Sequence, residues 1–97
     1  MKTGVCLVRL RLPENGSLKE KRRIVKSLMA RTQNKFNVAI AEVDDQELWQ
    51  AATIGFSCVG NDATFVNDVL YRVLSFIEGT RHDAEVLDYQ TELLEVF

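Results

Sequence analysis

The chain has 97 residues, of which 46% are hydrophobic and 27% are charged, and its formal net charge is −2. This composition is typical of a single small globular domain and excludes disordered or low-complexity chains and two-domain architectures. Two cysteines and one histidine exclude a four-cysteine zinc site and a multi-histidine metal site. Arg9 and Arg11 interrupt the first apolar run too early for a secretory signal, and no run approaches the roughly 18 residues of a membrane span. We therefore expect a cytoplasmic protein.

The first predicted elements are a strand and a basic helix. Residues 3–12 alternate in the manner of a strand, and the turn formers at residues 13–16 end it. Ser17 is placed as a helix N-cap, and Glu20 three residues later completes a capping box. Helical spacing of apolar residues extends this helix to about Asn34.

The rest of the chain is predicted to form three further strands and one helix. Residues 36–43 and 51–59 read as strands, a second helix ends near Glu78, and residues 84–94 form a last strand. The order β-α-β-β-α-β favours one ferredoxin-like α+β sandwich over residues 1–97, in which two helices cover one face of an antiparallel sheet.

The opposite sheet face is predicted to be uncovered. Its residues are small and mostly apolar: Val5, Leu7, Arg9, Arg11, Ala39, Ala41, Val43, Thr53, Gly55, Ser57 and Val59. Because contiguous apolar patches usually mark contact surfaces, we expect a homodimer, with a tolerated exposed sheet as the alternative. The predicted interface residues are Val5, Leu7, Arg9, Trp49, Thr53 and Ser57. Trp49 is also open to other interpretations, as a stacking platform or a lid over the core edge.

Charge is divided unevenly along the chain. Residues 1–35 carry ten basic and two acidic side chains, whereas residues 36–97 carry two basic and twelve acidic ones. Several cations of the first helix fall within a roughly 100° arc beside its apolar face. These cations are Lys19, Arg22, Arg23 and Lys26, with Lys21 assigned as an additional contributor. They predict a phosphate-contacting nucleic-acid site, and an ordinary solvated helix face is the alternative.

Catalytic and metal chemistry have weak support. His82 is the sole histidine and is interpreted as a solvated turn residue. Asp44, Asp45 and Glu47 lack calcium-loop spacing, so we expect an acidic turn and no metal site. No glycine-rich phosphate loop is present, and we expect no cofactor and no catalytic residues. The loop at residues 13–17 could bind an anion at the helix N-terminus, which leaves a small anion-binding hydrolase as a minor alternative.

The two cysteines, Cys6 and Cys58, fall on apolar faces of predicted strands. We expect them to be reduced thiols that pack in the core as small hydrophobic residues.

Nearly the whole chain resembles the YlxP-like bacterial domain family of unknown function. The resemblance is carried by five segments, which are residues 17–23, 36–44, 47–50, 60–62 and 84–89. It implies the ferredoxin-like fold and a bacterial cytoplasmic source. Members tend to be encoded near translation and ribosome-maturation genes, which implies a connection with RNA or the ribosome. The family provides no established catalytic residues to carry over.

Two principal functions are therefore compared. The first is a non-enzymatic accessory factor that contacts RNA or a ribosomal particle through the basic first helix. The second is a homodimeric protein-interaction or small-ligand-sensing module that binds no nucleic acid, in which the basic helix is incidental.

Overall fold

A computed structural model describes residues 1–80 and 83–97 of the chain. Its elements, in chain order, are β1 (Lys2–Arg11), α1 (Leu18–Lys35), β2 (Ala39–Asp44), β3 (Ala51–Gly60), α2 (Ala63–Thr80) and β4 (Glu85–Glu95). Neither helix in this part of the chain combines the length and apolar character needed to cross a membrane. The turn predicted around His82 lies outside the described residues.

The four strands form one antiparallel sheet in the order β2-β3-β1-β4. Alternate residues of the central strands, such as Val8 on β1 and Ile54 on β3, point towards the helices and are fully buried. Leu28 of α1 and Leu70 of α2 close the core from the other side. The ferredoxin-like α+β architecture expected from the sequence is confirmed.

The largest difference from the sequence prediction lies between α1 and β2. Phe36 does not begin a strand; its backbone N–H donates to Thr32 O at 2.9 Å and ends the helix. Its ring packs edge-on against Phe76 of α2, with the ring centroids 5.6 Å apart. The strand consequently begins at Ala39, three residues later than its alternating pattern suggests.

A bulge changes the pattern of β4. The pairing with β1 shifts between Arg9 and Leu10, so that Leu10 lies opposite Val86 and Arg9 lies opposite Asp88. Leu87 is the extra residue of the bulge and is 59% exposed. Val86 therefore packs against the core where simple alternation predicts Leu87.

Gly4 marks the closest approach between α2 and the sheet. A Cβ atom at Gly4 would lie 2.6 Å from Val66 Cγ1 and 2.8 Å from Leu70 Cδ1. Both of these side chains are fully buried and have little room to move. Glycine at this position therefore allows α2 to pack directly on β1.

We expect Gly4→Ala to lower the free energy of unfolding by about 1–3 kcal/mol, because the added methyl group overpacks the core. Gly16→Ala is the matched control, since nothing lies within 4 Å of a Cβ atom at that position. Urea denaturation of both variants measures the difference. Equal stability of the two variants would contradict the close packing of α2 on β1.

Candidate functional site

The basic stripe, defined as Lys19, Arg22, Arg23 and Lys26, lies on the solvent side of α1, and all four side chains are exposed. Their spacing of i, i+3, i+4 and i+7 makes them neighbours on the helix surface. Within residues 1–80 and 83–97, these four cations form a single ion pair. It is long, because Arg23 Nη2 lies 3.9 Å from Glu20 Oε1. Three of the four cations therefore face solvent without an acidic partner in the described structure.

Lys21 does not belong with this stripe, which corrects its assignment as a nucleic-acid contact. Its side chain is completely buried, and its ammonium group donates to Asp45 O at 2.5 Å and to Leu48 O at 2.6 Å. The same nitrogen lies 3.0 Å from Glu42 Oε2. Two carbonyl oxygens thus accept hydrogen bonds from the lysine and a carboxylate pairs with its charge, so the buried ammonium is not accessible to a phosphate.

These contacts form a lysine lock, defined as Lys21 with Glu42 and the two carbonyls of residues 45 and 48. Glu42 Oε2 is buried and makes no aligned hydrogen bond, so the ion pair with Lys21 is what offsets its burial. Because Lys21 belongs to α1, Glu42 belongs to β2 and the two carbonyls belong to the β2–β3 connection, the lock joins the helix to the strand and to the loop that follows it.

Asn15 strengthens the same junction from the β1–α1 loop. It is 5% exposed, and its side-chain amide donates to Trp49 O. Its Oδ1 accepts from the backbone N–H of Ser17 at 3.4 Å, and the Ser17 hydroxyl in turn caps α1 by accepting from Glu20 N at 3.1 Å. The polar groups of this loop are thus used to hold the fold and the helix terminus.

The acidic residues of the β2–β3 connection serve local structure. Asp45 has a φ of 62°, a left-handed conformation that aspartate tolerates better than most residues. Its carboxylate accepts a 2.6 Å hydrogen bond from the Thr53 hydroxyl. Asp44 accepts from the backbone N–H of Asp45 at 2.8 Å. No cluster suited to a metal ion occurs among the described residues.

The uncovered face of the sheet, here called the open face, contains a shallow groove of about 530 Å³. Val5 and Leu7 of β1 and Ser57 of β3 line it and are half-buried. The prediction that Thr53 is an interface residue is corrected, because only 5% of Thr53 is exposed and its hydroxyl donates a hydrogen bond to Asp45. Arg9 is exposed and lies 3.6 Å from Asp88.

Trp49 lies apart from the groove, and its role at an interface stays a separate prediction. It is 44% exposed and lines a separate hollow at the end of the sheet, together with Arg11, Pro13 and Leu48. The predicted interface therefore divides into two surfaces, and the tryptophan belongs to the end of the sheet.

Cys6 and Cys58 are buried free thiols, as expected from their positions in the sequence. Burial raises the pKa of Cys6 to about 11. Burial also raises the pKa of Cys58, although a hydrogen bond with the backbone of Gly4 opposes this effect. Both thiols are therefore kept in their unreactive protonated form at neutral pH.

Helical spacing contains the signal for the lysine lock. Lys21 lies three, four and seven residues before Ile24, Val25 and Leu28, which are all buried. Glu42 likewise follows Ile40 by two residues, and both point to the helix side of the sheet. A lysine and a glutamate on two core-facing patterns predict a buried ion pair.

We expect Lys21→Met to lower the free energy of unfolding by about 3 kcal/mol, because it leaves Glu42 and two carbonyls buried without a donor. Adding Glu42→Leu should restore part of the loss. Lys26→Met is the control and should change stability by less than about 0.5 kcal/mol, since its side chain is exposed. Urea denaturation provides the measurement, and equal values for Lys21→Met and Lys26→Met would contradict the lock.

Iodoacetamide labelling tests the burial of the thiols. At pH 8 we expect Cys6 and Cys58 to react at least about a hundredfold more slowly in the native protein than in denaturant, because little thiolate forms and access is blocked. The native rate should rise with pH as the thiolates form. Rapid native labelling of either cysteine at pH 8 would show that its strand is not packed as described.

The sequence matches, over residues 3–91, the family described as "Protein of unknown function (DUF503)". It is 44% identical over 63 residues to the "Uncharacterized protein YlxP" of Bacillus subtilis (strain 168), with 65% of this chain and 68% of the relative covered. The structure is similar to the "De novo designed protein Foldit4", with a TM-score of 0.54, 11% identity and 100% of both chains covered, a likeness that concerns the fold alone. The chain belongs to the DUF503 family of proteins of unknown function.

Proposed function

We propose that this protein is a non-enzymatic accessory factor of the bacterial cytoplasm that binds the phosphates of RNA, free or in a ribosomal particle, through the basic stripe of α1. The observation that carries this proposal is the exposure of all four stripe cations, with carboxylate contact limited to the long pair of Arg23 with Glu20 in the described chain. Unpaired cations on one helix face can exchange their counterions for phosphates.

The rest of α1 extends this cationic surface. Arg31 and Lys35 are also exposed, so α1 carries six exposed cations. Glu20 is the acidic residue of this helix and is exposed as well. Lys35 is partly engaged, because its ammonium lies 5.2 Å from the centroid of the Phe76 ring. From Lys19 to Lys26 the stripe covers about 10 Å along the helix axis.

The charge distribution predicts local binding that is sensitive to salt. The whole chain carries a net charge of −2, so the molecule as a whole does not attract polyanions. Affinity must then come from the short-range field of α1. The sheet is an unsuitable base-stacking platform, because Phe56 of its central strand is buried against the helices.

Binding of the purified protein to total RNA and to ribosomal subunits, measured across a salt series, tests the proposal. For about four neutralised phosphates we expect a slope of log K against log salt near −3. Arg22→Glu should weaken binding several-fold and make the slope shallower by about one. The reason is that this substitution replaces an unpaired cation of the stripe with an anion.

Arg72→Glu on α2 is the matched control, because it makes the same change in net charge outside α1. Arg72 already lies 3.0 Å from Asp68, so its charge is largely satisfied within the protein. The proposal requires this variant to bind as the wild type does. Equal losses in the two variants would indicate a general charge effect, and absence of binding at low salt would exclude RNA binding by α1.

A further inference from the structure

The open face divides into a raised half and a recessed half. On β1 it presents Val5 and Leu7, while the paired positions on β3 are Ser57 and Gly55. Ala39 and Ala41 continue the small residues onto β2. The groove of about 530 Å³ extends over both halves and includes this recess, and a Cβ atom at Gly55 would lie 3.2 Å from Val43 Cγ1.

We propose that the occupant of this groove is a second copy of the same chain, related by a two-fold axis that runs parallel to the strands between β1 and β3. Such an axis places β1 of each protomer over β3 of its partner and keeps the residue rows aligned. Leu7 then enters the recess above the partner's Gly55, and Val5 lies over the partner's Ser57. The same two contacts occur twice, as a closed dimer requires.

Charge complementarity supports the same arrangement. Arg9 lies opposite Thr53 within the sheet, and the Thr53 hydroxyl holds the carboxylate of Asp45 at 2.6 Å. The proposed axis therefore brings Arg9 over the partner's Asp45. Within its own chain, Arg9 has a weaker contact, because Asp88 is 3.6 Å away and both side chains are more than half exposed.

The size of the face agrees with a moderate dimer. Four strands about 4.8 Å apart, with a rise of ~3.3 Å per residue, give the face a footprint of roughly 600 Å². Standard interfaces bury about 800 Å² per partner. Two such sheets pack about 10 Å apart with their strands within roughly 30° of each other, which keeps the residue rows in approximate register.

Sedimentation velocity at tens of micromolar tests the dimer itself. We expect the wild-type protein to sediment as a dimer. The Ala41→Glu variant should sediment as a monomer, because it places a charge on the exposed part of β2 that borders the recess. Ser75→Asp, on the exposed side of α2, is the control and should remain dimeric. A monomeric wild-type protein, or a dimer unaffected by Ala41→Glu, would overturn the proposal.

A charge exchange tests the axis. Arg9→Glu places an anion over the partner's Asp45, and Asp45→Lys places a cation over the partner's Arg9, so each variant alone should dimerise about tenfold more weakly or worse. When the two variants are mixed in equal amounts, each heterodimer contains one contact between two exchanged charges and one between two original charges, and both are attractive. We therefore expect the mixture to form heterodimers. Circular dichroism verifies that each variant is folded, and folded variants that fail to associate when mixed would overturn the proposed axis.

Discussion

The buried ammonium of Lys21 is the interaction on which the arrangement of this protein depends. A lysine in the core is tolerated only when its charge and its donors are satisfied, and here Glu42 and two carbonyls provide that environment. These carbonyls belong to the β2–β3 connection, so the loop must adopt one conformation for the lysine to be buried. Folding of the helix and ordering of the loop are thereby coupled.

The cations of α1 are of two kinds, one buried and the others exposed. Lys21 points inwards and contributes to the fold, while its neighbours Arg22 and Arg23 point outwards and stay in water. The lock also sets where the acidic segment lies: the Asp45 carboxylate is directed to Thr53, away from the basic stripe. Among the described residues, carboxylate contact with the stripe is therefore limited to the long pair of Arg23 with Glu20, even though residues 36–97 are strongly acidic.

Most of the fold follows from the sequence, because strand alternation, helical spacing and the Ser17 cap are local signals that agree with one another. The start of β2 could not be predicted in this way. Phe36 and Val38 are apolar at alternate positions, and only the tertiary contact of Phe36 with Phe76 explains why this segment ends the helix instead of extending the strand. The bulge in β4 is equally invisible, since it depends on the pairing with β1.

The site could be predicted only in part, for a related reason. Composition and spacing locate the basic helix, but exposure decides which cations are available, and this depends on what packs against each one. Lys21 resembles its neighbours in residue type, but helical spacing places it on the buried face, where Glu42 and two carbonyls that are distant along the chain satisfy its charge. Trp49 likewise belongs to the end of the sheet because Asn15 holds its backbone there.

The acidic character of β4 determines how sheets of this protein can meet. As an edge strand it has one row of backbone groups without a neighbour, which invites another strand. Antiparallel self-pairing centred on Gln90 would place Asp88 against Glu92 and Glu85 against Glu95, so like charges would face each other at both ends. The hydrogen bond from Lys2 lowers the pKa of Glu95, which preserves that charge further into acid. Growth of a continuous sheet through the β4 edge is thus opposed at neutral pH.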